Sequence, residues 1–113
     1  GYNVSLTEIH HTQKKDAPSG TAISLAGQIM ERIRSKKKWV NQASQDPGEL
    51  QIISQRVDPA PGTHTVNYDS TVDSIEIKHT AHSRMGFAEG AVIAAEFIQG
   101  KKGVFSMSDV LGI

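Results

Sequence analysis

The chain has 113 residues and a formal net charge of zero, with 12 Lys and Arg balanced by 12 Asp and Glu. That length suits one ordinary domain, and the charge balance argues against nucleic acid or an anionic membrane as the main partner. Cysteine is absent, which excludes a disulfide framework and a thiolate metal site and fits a reducing compartment.

Taken in chain order, Tyr2 to His10 alternates as a strand, with Tyr2, Val4, Leu6, Glu8 and His10 on one face. The following Asp16-Ala-Pro-Ser-Gly-Thr reads as a loop that ends in a helix start, with Ser19 as N-cap. Apolar residues at 22, 26, 29, 30 and 33 predict a helix over about Gly20 to Lys36. Residues 35 to 48 are polar and predict a loop, in which Lys36-Lys37-Lys38 is a solvated helix end.

Leu50 to Val57 predicts a second strand, Asp58 to Gly62 a turn, and Thr63 to Asp69 a third strand. Asp73 to Ala81 is a fourth, joined to the third through Ser70-Thr71-Val72 as an antiparallel hairpin. Met85 to Gln99 predicts a second helix closed by Gly100, and the tail suggests one more helical turn. The longest apolar run, Ala91 to Ala95, is far too short to span a bilayer, and no signal peptide is visible. The expected fold is α+β: about four strands in a mixed or antiparallel sheet, helices on one face, and a polar second face open to water or to other copies.

The chemistry concentrates at residues 8 to 22, Glu-Ile-His-His-Thr-Gln-Lys-Lys-Asp-Ala-Pro-Ser-Gly-Thr-Ala. Adjacent histidines on a strand point to opposite faces, so His10 and His11 are poor joint ligands for one metal, and no metal site is expected. Histidine is the side chain best suited to move a proton near neutrality. A lysine close by can balance an anion, and the Ser-Gly-Thr helix start offers free N–H groups and a positive dipole end to a carboxylate or phosphate. Gly20 allows close backbone approach, and Thr21 adds a hydroxyl. Proton donor, cation and anion cradle within a dozen residues point to a small-anion site.

The same residues resemble the signature E-x-H-H-x-x-K-x-D-A-P-S-G-T-A of the dihydrodipicolinate reductase family. The resemblance continues in Gly62-Thr-His-Thr-Val, in the run from His79 to Ala91, and in the tail from Gly103 to Leu111. It covers essentially the whole chain, but only the family's C-terminal, substrate-binding and oligomerisation part. Two features depart from the pattern. Arg56 is followed by Val57-Asp-Pro-Ala-Pro rather than a Gly-rich turn, and no G-x-x-G-x-x-G dinucleotide fingerprint occurs anywhere.

The resemblance implies a domain spanning residues 1–113 of a two-domain reductase whose Rossmann domain is absent from this chain, so that the chain alone is inactive. It implies hydride transfer from NADPH or NADH, bound mainly by that other domain, to a small cyclic dicarboxylate in the diaminopimelate route to lysine. A cytoplasmic homotetramer assembled through the sheet, with no nucleic-acid or membrane partner, is implied as well. Carried over position by position, His10 is the general acid and Lys14 stabilises the anionic intermediate, whereas Lys15 falls at a variable position. His11, Gly20 and Thr21 bind substrate; His79 and Arg84 are secondary candidates, and Glu8 either orients His10 or pairs with a lysine. The competing readings are a non-catalytic oligomerisation module and a different enzyme domain that binds small dianions.

Overall fold

A computed structural model describes residues 1–113 and divides them into two compact units, residues 1–82 and 83–113. The first unit contains strands β1 (Asn3–His10), β2 (Lys38–Val40), β3 (Glu49–Arg56), β4 (Gly62–Asp69) and β5 (Ser74–Ala81), with helix α1 (Gly20–Arg32) between β1 and β2. The second contains α2 (Met85–Ile98) and α3 (Met107–Leu111).

The five strands form one mixed sheet in the order β2-β3-β1-β4-β5. β1 lies at its centre, parallel to β3 on one side and antiparallel to β4 on the other. Alternation along β1 puts Val4, Leu6 and Glu8 on one face, and all three are buried. Register then sets Leu6 between Ile52 and Val66. On this face α1 lays down Ala22, Ala26 and Ile29, which join Val4, Leu6, Leu50, Ile52 and Val66 in the core. The small residues at 22 and 26, one turn apart, let the helix approach the sheet closely. The opposite face carries Thr7, Thr65 and Asn67, whose partners across the ladders are Thr65, Thr7 and Ser5.

The sheet thus has five strands where the sequence suggested four, and the missed one lies in the segment expected to be a loop. α1 ends at Arg32, four residues before the expected Lys36, because Ile33 turns into an extended conformation while its N–H still bonds to Ile29 O at 2.8 Å. The chain then runs into β2, which pairs in parallel with β3 through Lys38–Glu49, Trp39–Leu50 and Val40–Gln51.

The lysine run is accordingly not a solvated helix end. Lys36 is buried, and its ammonium donates to Asn3 Oδ1 at 2.7 Å and to Glu49 O at 2.9 Å. Lys37 N–H bonds to Gly48 O, and Lys38 opens the strand with its side chain 3.4 Å from Glu49 Oε2.

The remaining expected elements are present within a residue or so of their predicted bounds. β4 and β5 form the antiparallel hairpin, closed by Ser70 N–H to Asp73 O at 2.9 Å. In the second unit, α2 ends at Ile98, and Gly100 follows with a φ of 76°, in the left-handed region that favours glycine. Lys101 folds back to donate to Phe97 O, and Phe97 meets Phe105 edge to face at 5.5 Å. The expected last turn is α3, started by a capping box between Ser106 and Asp109.

Candidate active site

β1 ends at His10, and the chain turns through residues 11 to 14, where Lys14 N–H bonds to His11 O at 3.2 Å. Thr12 anchors this turn. Its N–H and its hydroxyl both donate to Asp58, at 2.9 and 2.7 Å, so the β3–β4 connection holds the loop that carries His11 and Lys14. These two bonds hold the Asp58 carboxyl below its usual range. Here the altered turn after Arg56 has a definite role. The loop then reaches Pro18 and Ser19, both buried, and enters α1.

Ser19 caps α1 by accepting from Ala22 N–H at 3.2 Å, and Ile23 N–H begins the helical ladder on Ser19 O. The N–H groups of Gly20 and Thr21 are left as open donors at the positive end of the helix. Both residues are exposed, and a Cβ built on Gly20 would meet nothing within 4 Å. The helix start is therefore physically open to an anion.

Around it the parallel pairing of β1 and β3 gathers a charged cluster. Glu8 stands opposite Ser54, and His10 opposite Arg56. Glu8 is wholly buried, and its two oxygens receive Arg56 Nη1 at 2.7 Å and Nη2 at 3.1 Å. His10 Nδ1 lies 2.8 Å from Oε1, Ser19 N–H donates to Oε2 at 2.7 Å, and Ser54 Oγ donates to Oε2 at 3.0 Å. Burial by itself would raise the Glu8 carboxyl, but these bonds outweigh it and bring it to about 2. Glu8 is thus a buried anion whose partners are an arginine and a histidine, not a lysine.

Arg56 also donates to Asp16 O at 2.7 Å, and Asp16 in turn pairs with Lys14 Nζ at 3.0 Å. That pairing holds the Asp16 carboxyl below its usual range. His64, next across the sheet from Glu8, meets the His10 ring edge-on at 5.1 Å and shares a hydrogen bond of 2.9 Å with Ser19 Oγ. Desolvation first, and then the neighbouring His10, push its imidazole below the usual range.

The structure therefore links His10, Lys14 and the Gly20–Thr21 helix start through Glu8, Arg56 and Asp16. His11 sits in the turn facing Asp58, Lys15 is exposed, and His79 pairs across the sheet with His64. Arg84 precedes α2 in the second unit. Sequence reasoning did not find Ser54, Arg56 and Asp58 as partners of the site. Only the β1–β3 register brings them in, and a single strand shows no signal of its neighbour's register. No group of three or more His, Asp or Glu residues is arranged to hold a metal ion.

A histidine, a lysine and an open helix start thus stand beside a buried acid–guanidinium pair, an arrangement whose chemistry suits a small anion and proton transfer. Residues 1–111 match the family model described as dihydrodipicolinate reductase, C-terminus. The chain is 54% identical, over 97% of its length, to a 4-hydroxy-tetrahydrodipicolinate reductase of Christiangramia forsetii, and 44% identical, over 99%, to one of Methanosarcina mazei. It covers 46% and 44% of those two proteins, so it spans about half the length of the curated relatives it matches. A solved dipicolinate-bound dihydrodipicolinate reductase from Paenisporosarcina sp. TG-14 shares the fold at TM-score 0.64 and 24% identity, over 98% of this chain and 40% of that one. The chain belongs to the dihydrodipicolinate reductase family and corresponds to its C-terminal part.

Proposed function

We propose that this chain is the substrate-binding and proton-donating domain of a 4-hydroxy-tetrahydrodipicolinate reductase, acting on a small cyclic dicarboxylate imine in the diaminopimelate route to lysine. The observation that carries this reading is the linkage of His10, Lys14 and the open α1 start around one buried carboxylate.

The reductant of such an enzyme is a nicotinamide, NADH or NADPH. The residues of this chain do not supply its glycine fingerprint: neither strand-to-helix passage, β1 to α1 with the single Gly20 or β5 to α2 through His82-Ser83-Arg84, carries the repeated glycines that admit a pyrophosphate. We assign the cofactor to a separate dinucleotide-binding domain of the whole protein, and on this reading the chain by itself does not turn over.

What this chain supplies is charge and a proton. Reduction of a conjugated imine builds negative charge on the ring, which His10 quenches as general acid. Lys14, released from Asp16, balances that charge and one carboxylate. The Gly20 and Thr21 N–H groups and the Thr21 hydroxyl hold a carboxylate at the helix start, and His11 contributes a further contact. A cytoplasmic homotetramer assembled through the sheet face that carries Thr7, Thr65 and Asn67 completes the reading.

The test is a competition in solution. Pyridine-2,6-dicarboxylate is expected to bind, and phosphate esters to compete poorly against it. No affinity would favour a non-catalytic module, and better competition by phosphate esters a different dianion enzyme. Sedimentation at about 10⁻⁵ M, a concentration suited to moderate interfaces, is expected to show self-association; a clean monomer contradicts the assembly.

A further inference from the structure

Glu8 makes more bonds than a buried carboxylate needs. The two-pronged contact with Arg56 already neutralises it. Yet its oxygens also reach the two working halves of the site, Oε1 to His10 Nδ1 and Oε2 to the N–H of Ser19, the residue that caps α1 and precedes Gly20. A carboxylate is planar and rigid, and Arg56 grips both oxygens, so the group cannot rotate to favour one half over the other.

The contact with His10 has a chemical consequence. An imidazole whose Nδ1 faces a carboxylate carries its fixed proton on Nδ1, so Nε2 is the nitrogen that gains and loses the mobile one. The Nε2 side of the ring lies against Gly62, where a Cβ would come within 3.0 Å of Nε2; the absent side chain keeps that nitrogen clear. The other imidazole in contact, His64, has its Nε2 engaged by Ser19 Oγ. Ser19 thus joins the same framework through both its N–H and its hydroxyl.

We propose that Glu8 is the positioning residue of this site: one carboxylate holds the His10 ring by Nδ1, which leaves Nε2 for the mobile proton, and, through Ser19 N–H, sets the start of α1 that presents Gly20 and Thr21. The roles of those two halves rest on the reductase reading; the placement of the His10 proton does not. Proton donor and anion cradle are held at one spacing because they share one group.

Glu8→Gln tests this with a definite geometry. A glutamine amide on the Oε2 side would confront two fixed donors, Ser19 N–H and Arg56 Nη2. On the Oε1 side it confronts Arg56 Nη1 and His10, and His10 can move its proton. The NH₂ group therefore turns to His10 and donates to Nδ1. In ¹⁵N spectra of the imidazoles, neutral His10 of the unaltered chain is expected to carry its proton on Nδ1, and that of Glu8→Gln on Nε2. In the reductase that carries this domain with its dinucleotide-binding domain, Glu8→Gln is expected to lower kcat about 10- to 100-fold, as loss of an orienting partner does, and to raise KM for the dicarboxylate as well. The proposal is overturned if neutral His10 of the unaltered chain holds its proton on Nε2, a result that needs no folded variant. It is equally overturned if folded Glu8→Gln keeps the proton position, kcat and KM and loses only thermal stability. Absence of reductase activity in the unaltered protein would sink the reductase reading, while the nitrogen spectra still decide the role of Glu8.

Discussion

Arg56 grips both oxygens of Glu8, at 2.7 and 3.1 Å, in the buried floor of the site. The Glu8 carboxyl consequently titrates at about 2 when folded, against an ordinary value of 4.5. A group depressed in this way stabilises the fold fully above its unfolded value and loses that contribution as pH falls toward the folded one. The window is therefore pH 4.5 down to 2. At ~1.4 kcal/mol per pKa unit, the loss is on the order of 3 kcal/mol. Urea midpoints measured across that window should fall steeply for the unaltered chain and much less for Glu8→Gln. Asp16 and Asp58 are also depressed but are exposed, so they add little to the slope.

Gly62 and His10 give a second prediction. In the full reductase, His10→Gln should lower turnover by ~10²- to 10⁴-fold, the range for a lost general acid, with a modest change in substrate KM. Gly62→Ala should lower kcat by a smaller factor, because its Cβ forces the His10 ring to shift by a few tenths of an ångström. Steady-state kinetics on both variants read this directly. Unchanged turnover in His10→Gln would remove it from the acid role.

The two neighbouring lysines should separate cleanly. Lys14 is partly buried and tied through Asp16 to Arg56, whereas Lys15 points into solvent. Lys14→Ala should therefore weaken dicarboxylate binding and slow turnover, and Lys15→Ala should do neither. Equal effects at both positions would mean that the motif has been aligned one residue out of place.

Lys36 supplies a stability test away from the chemistry. Lys36→Ala leaves Asn3 Oδ1 and Glu49 O without their donor, a change that costs about 1 to 3 kcal/mol. Lys37→Ala and Lys38→Ala touch exposed side chains and should stay within about 0.5 kcal/mol of the unaltered chain. Chemical denaturation of the three variants checks the ranking.

Much of this is legible in the sequence. Alternation in β1, β4 and β5 and helical spacing in α1 and α2 revealed those elements, because each is long enough to show its period. β2 escaped because three residues, Lys38-Trp39-Val40, are too few for alternation and follow two lysines that read as helix end. Lys36 misled for a related reason: burial of a lysine depends on acceptors from Asn3 and Glu49, which come together only in the folded sheet. At the site, the motif marked His10, His11, Lys14, Gly20 and Thr21, all on one continuous stretch. Arg56, Ser54, His64 and Asp58 arrive from β3, β4 and the turn between them, and strand pairing alone connects them to that stretch.

The central claim is that residues 10 to 21 form a dicarboxylate site. It is tested most directly by titrating the ¹⁵N-labelled chain with pyridine-2,6-dicarboxylate and following the backbone amides. The account predicts the largest shifts at Gly20 and Thr21 and in the His11 to Lys14 turn, with weaker binding in Lys14→Ala. Shifts confined to other parts of the sheet, or none at saturating ligand, would contradict it.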